Sequence, residues 1–162
     1  MIGIVGFSFA LTKNEPNPCN LRLAEEVSRI LREELNKGNN VVVVVQWEIA
    51  KALEIFELKP DHVVKPKKGV YLDSDILMKE ATEVFLQRGI TKVIPVANPF
   101  LHLSHCRKLV QKSGFILADR KVKRIGFCKE SLQWWTRSPF NLILYGIHIK
   151  LFGKGGRNRF YP

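Results

Sequence analysis

Val41-Val42-Val43-Val44-Val45-Gln46 decides the fold. Five β-branched residues in succession leave no polar position to face water. Such a strand is covered on both faces, which is the signature of a parallel sheet rather than a half-solvated antiparallel one. The flanks agree. Lys37-Gly38-Asn39-Asn40 reads as a helix stop and a turn. Upstream, Leu21, Leu23, Ala24, Val27, Ile30, Leu31 and Leu35 recur at near-helical spacing, with Asn20 as the expected cap. Downstream, Ile49, Ala50, Leu53, Ile55 and Phe56 repeat the helical interval between Gln46 and Leu58.

The same alternation extends in both directions. Ile2 to Leu11 reads as a first buried strand, and His62 to Lys65 as a short third one. Asp73 or Ser74 caps a helix from about Asp75 to Arg88. Lys92-Val-Ile-Pro-Val-Ala97 is a further strand, broken at Asn98-Pro99, and a helical segment with His102, His105, Cys106 and Arg107 follows. Phe115 to Ala118 and Val122 to Phe127 are two more strand candidates. Pro139 to Phe152 is a last apolar helix. The predicted architecture is an α/β three-layer sandwich: a mostly parallel, Rossmann-like sheet of about five strands with helices on both faces. It forms one domain over residues 1–153, with a basic, frayed tail over 154–162. The valine strand and the Val93 to Ala97 strand are expected side by side and pointing the same way. The final helix is expected to be buried across the sheet, with an anionic membrane surface or a second subunit as the alternative cover.

Hydrophobic content of 46% and charged content of 25% are ordinary for a globular chain of 162 residues, whereas a net charge of +11 favours an anionic partner. Cys19, Cys106 and Cys128 do not make a disulfide framework and suit a reducing, cytoplasmic setting. Met1 to Leu11 has no basic lead and no small-residue cleavage site, so it reads as a strand and not a leader. No run reaches the ~18 apolar residues of a membrane span.

An ordered set of short motifs is similar to a known family. Gly6-Phe7 ends the first strand and Asn20-Leu21-Arg22-Leu23 opens the first helix. Ala50-Lys51-Ala52-Leu53 and Asp61-His62-Val63-Val64 follow. Gly89-Ile90-Thr91-Lys92-Val93-Ile94-Pro95-Val96 and Phe100-Leu101-His102 complete the set. From about Ile2 to Phe152 the chain resembles the SanA/YdcF/ElyC-like family of largely uncharacterised α/β proteins, as a diverged member. Where that family carries Ser-Gly-Gly after the second strand, this chain has Gln46-Trp47-Glu48. Only Thr82-Glu83 matches the family's Thr-x-Glu-Asn element, and His105 stands where the family has arginine.

In an open parallel sheet, ligands bind outside the carboxyl ends of strands, beside helix N-termini. That rule selects the candidate site. His102 and Glu48 are the expected acid/base residues. Ser8, Arg22, Gln46, Asn98 and His105 are the expected ligand-binding residues. Arg22 reads equally as a solvent-facing side chain, and Glu48 as a carboxylate favouring a helix dipole. His102 and Cys106 lie four apart, but further metal ligands in the usual pattern are missing, so no metal site is expected. The expected ligand is small and anionic, nucleotide-like or phosphorylated; S-adenosylmethionine or a nucleotide are the cofactor candidates. Nucleic acid, an acidic membrane surface, or protein contacts through the final helix are the lower-ranked alternatives.

Overall fold

The computed structural model describes residues 1–153, with the backbone alone for Phe152. The basic tail expected over 154–162 lies outside them. Five strands form one all-parallel sheet: β1 (Ile2–Gly6), β2 (Val41–Gln46), β3 (His62–Val64), β4 (Lys92–Val96) and β5 (Ile116–Leu117). Their order across the sheet is β3-β2-β1-β4-β5. Helices α1 (Pro18–Asn36), α2 (Trp47–Glu54), α3 (Ser74–Gln87) and α4 (His102–Lys112) fill the connections, and α5 (Pro139–Phe152) follows the sheet. Helix α1 packs on α2 and α3 on α4, so both faces are covered. The expected α/β architecture is the observed one.

The central strand shows why the layers close so tightly. A Cβ on Gly6 would lie 2.9 Å from Val45 Cγ1 and 3.2 Å from Ile49 Cδ1 on α2. A Cβ on Gly3 would meet the Phe85 ring of α3 at 2.9 Å. Each glycine thus admits a neighbour from one of the two helical layers. Val42 to Val45 are buried, as the unbroken valine run predicts.

Several expectations need correction. The valine strand and β4 do point the same way, but β1 lies between them, with Ile2 in register with Val41 on one side and Lys92 on the other. The first strand ends at Gly6, not Leu11. Residues Phe7, Phe9, Ala10 and Leu11 stay buried without a ladder, because their N–H groups find other acceptors. Phe7 N–H donates to Val96 O (2.9 Å), Ser8 N–H to Gln46 Oε1 (2.7 Å), Phe9 N–H to Asn20 Oδ1 (2.9 Å) and Leu11 N–H to Ser131 Oγ (3.2 Å). Asn20 is therefore a buried brace rather than a cap. Asn17 caps α1, accepting from the N–H groups of Cys19 and Asn20.

Val122 to Phe127 is not a strand. Its polar groups go to side chains: Lys123 N–H to Glu26 Oε2 (2.9 Å), Ile125 O to Arg22 (2.8 Å) and Gly126 O to Asn98 (2.7 Å). Gly126 at φ 85° also turns the chain out of extended geometry. The last helix is not buried across the sheet. It packs on the 3-10 turn Trp134–Thr136, and no described residue of it is buried.

Asn20→Ala leaves Phe9 N–H without its acceptor and removes the amide that donates to Ala10 O and Glu15 Oε2. Stability should fall by about 1–3 kcal/mol, read as a lower urea midpoint at unchanged slope.

Candidate functional site

The strand order reverses between β1 and β4, since the chain fills one side of β1 first and then crosses to the other. Switch points of this kind open a crevice beyond the carboxyl ends of the strands. Here the crevice is a cavity of about 340 Å³. Ser8, Phe9 and Ala10 after β1 and Gln46 at the end of β2 form one side of its lining. Tyr71 to Asp75, leading into α3, and Leu101, His102 and His105 of α4 form another. Trp135 and Thr136, with Leu142, Tyr145, Ile149 and Lys150 of α5, complete it.

The lining is held by groups that answer to one another. Gln46 accepts from Ser8 N–H (2.7 Å) and donates through Nε2 to Leu72 O (3.3 Å), tying the β1 and β3 sides together. Gln133 Nε2 donates to Tyr71 Oη (3.1 Å). Trp135 stacks on Tyr145 with ring centres 4.4 Å apart and planes at 11°, which fixes α5 against the 3-10 turn. Ala10 (φ 73°) and Leu101 (φ 61°) both line the cavity in the left-handed region, a conformation that costs a non-glycine residue about 1–3 kcal/mol.

The chemistry centres on His102, in the first turn of α4. Its Nε2 lies 3.1 Å from Ser74 Oγ, at the start of α3. Phe7 and Phe9 flank the imidazole, with ring centres 6.1 and 5.9 Å away. Nδ1 is shielded from solvent and has no hydrogen-bond partner among the described residues. Burial lowers the His102 pKa to about 4, with the nearby His105 pushing the same way. The ring is therefore neutral at physiological pH, and its unprotonated nitrogen is a hydrogen-bond acceptor. Ser74 also hydrogen-bonds the Cys106 thiol, which burial holds far above the ordinary thiol range, so Cys106 remains a thiol and not a thiolate nucleophile. The N-terminus of α3 is closed by Asp73, whose Oδ1 accepts from the N–H groups of Asp75 and Ile76, each at 3.0 Å.

Of the residues selected from the sequence, Ser8, Gln46, His102 and His105 meet around the cavity. Arg22, Asn98 and Glu48 do not line it. Arg22 and Asn98 both grip the Ile125–Gly126 segment. Asn98 Oδ1 further accepts from Phe100 N–H, closing the turn into α4 (3.0 Å). Glu48 is buried in the first turn of α2. Ser74 was the missed partner. It follows a strand end at the same rim as Asp73, but its polar type fits a helix start so well that nothing else marks it. Tyr145 and Lys150 were missed as lining residues because the chain returns to the site after the sheet is complete. Among the described residues, no three histidine, cysteine or carboxylate side chains come together to hold a metal ion. No described helix is long and apolar enough to cross a membrane.

No family model and no curated protein sequence matches this chain. Among solved structures, it is similar to part of a Rhizobium etli pyruvate carboxylase determined with the activator acetyl coenzyme-A. The TM-score is 0.35 and the identity 15%, over 72% of this chain and 9% of that one. A likeness of that size bears on neither ligand nor reaction.

The depressed His102 pKa has a sign that can be measured. The unfolded chain takes up this proton near the ordinary histidine value of 6.5, the folded protein only near 4. Between those values the unfolded state binds more protons, so stability is lost as pH falls from about 6.5 to about 4 and levels off below. His102→Gln should flatten that part of the urea-midpoint profile. In the wild type, the His102 ring proton should titrate by NMR near pH 4.

Proposed function

We propose that the protein binds a small organic molecule at the carboxyl edge of the sheet, with the neutral His102 ring and the Ser74 hydroxyl as paired hydrogen-bonding anchors for a polar group of the ligand. The observation that carries this reading is the Ser74–His102 contact of 3.1 Å at the wall of a cavity of about 340 Å³. A hydroxyl within hydrogen-bond reach of a neutral imidazole pairs a donor and an acceptor at one point of the wall, which orients a polar group of a bound molecule. The cavity volume lies within the range that small-molecule sites occupy, roughly 300–1,000 Å³. Phe9, Tyr71, Trp135 and Tyr145 offer ring faces and edges to a flat ligand body.

The lining also narrows the ligand. Asp73 and Asp75 stand at the α3 end, and Lys150 is the lysine opposite them. The α3 N–H groups that would receive a phosphate are already taken by Asp73. A doubly charged phosphate therefore has less support than a neutral ring system with one polar end, such as a nucleoside or the adenosyl part of S-adenosylmethionine. The kinship with SanA/YdcF/ElyC-like proteins belongs to the same proposal. It rests on the ordered motifs, of which Phe100-Leu101-His102 delivers the histidine of the site. Gln46 occupies the position of the family's glycine turn and works here as a brace between β1 and the segment before α3.

A thermal-shift screen of nucleosides, their phosphates, S-adenosylmethionine and sugar phosphates tests this reading. At a hundredfold excess over Kd, a ligand adds about 2.7 kcal/mol, a shift of roughly 5–10 °C for a chain of this size. Nucleosides should shift the melting temperature at least as far as their phosphates. Ser74→Ala and His102→Gln should remove most of the shift while remaining folded. A shift unchanged in both variants, or none with any compound class, contradicts the proposal.

A further inference from the structure

Helix α5 is apolar on two sides and covered on one. Leu142, Tyr145 and Ile149 turn toward the cavity and the stacked Trp135. On the other side Phe140 (67% exposed), Ile143 (45%), Leu144 (41%), Ile147 (50%) and Leu151 (69%) lie in water. Their spacing of three, four, seven and eleven residues from Phe140 places them on one stripe. Side chains this large, contiguous along about three turns, mark a surface built to be covered.

Charge identifies the cover. From Ser131 to Pro162 the sequence has no aspartate or glutamate, while Arg137, Lys150, Lys154, Arg157 and Arg159 are basic. The whole chain carries +11. A second copy docked through α5 would bring the same excess against itself, with no acidic side chain from this segment to offset it. An anionic lipid surface supplies both a hydrocarbon boundary for the stripe and opposite charge for the basic excess of this segment. The helix has 14 residues, short of the ~20 a spanning helix requires, so it fits lying in the plane of the interface and not across it.

We propose that α5 docks this protein, outer stripe down, on an anionic lipid surface. This stands independently of what the cavity binds. Co-sedimentation of the full chain with phosphatidylcholine vesicles, with and without phosphatidylglycerol, tests it. The wild type should pellet with the phosphatidylglycerol vesicles and be released by high salt. The double variant Ile143→Glu/Ile147→Glu should partition more than about tenfold less, with an unchanged circular dichroism spectrum. Ile116→Glu, at an exposed apolar position on β5, should bind as the wild type does. No binding to phosphatidylglycerol vesicles overturns the proposal, as does equal binding by the double variant, which would make the attraction one of charge alone. A wild-type dimer in sedimentation velocity that the double variant converts to monomer overturns it in favour of a second copy.

Discussion

The buried passage from Phe7 to Leu11 is the constraint on which the site depends. It leaves the sheet at Gly6 yet stays out of water, so its backbone groups need partners that no strand supplies. They come from four separate places: β4 through Val96, β2 through Gln46, α1 through Asn20, and the segment before the 3-10 turn through Ser131. Each bond ties a different element to the same stretch of chain. Ser131 answers in both directions, since its hydroxyl also lies 3.2 Å from Leu11 O, and Leu132 N–H donates to that carbonyl at 2.7 Å. The residues that follow the sheet are thereby brought back to its carboxyl edge.

From that junction the cavity follows. The pinned loop presents Ser8, Phe9 and Ala10 on one side, and the returning chain presents Trp135 and then α5 on the other. Between them stand the starts of α3 and α4, with Ser74 and His102 in contact. Packing determines the state of the ring, since Phe7 and Phe9 flank the imidazole and its burial disfavours the charged form, which holds it neutral. Enclosing the cavity makes α5 two-faced. It has to be apolar inward to close the cavity, and its outward stripe is then a second and separate surface.

The sheet was legible because it is written in local terms. Five consecutive valines have one structural solution, and the helices beside them show their period directly. The rim was legible too: Ser8, Gln46, His102 and His105, selected because they follow strand ends, line one cavity. What escaped was everything set by tertiary partners. Asn20 looks like a cap because asparagine caps helices, and only the fold shows it answering Phe9. Arg22 and Asn98 look like ligand residues, and only the fold shows both holding the Ile125–Gly126 backbone. Val122 to Phe127 reads as a strand by composition, but side chains from α1 and the β4–α4 turn claim its carbonyls. The final helix reads as core because it is apolar nearly all round; two separate apolar faces on one exposed helix give the same sequence pattern as burial.

The most direct measurement is an NMR map of ligand contact. In a fragment-titrated ¹H–¹⁵N spectrum of the full chain, the account predicts that shifts converge on Ser8, Phe9, Ser74, His102, Trp135 and Tyr145, around one cavity. Shifts confined to other surfaces, or a binder that leaves Ser74 and His102 unmoved, would contradict it.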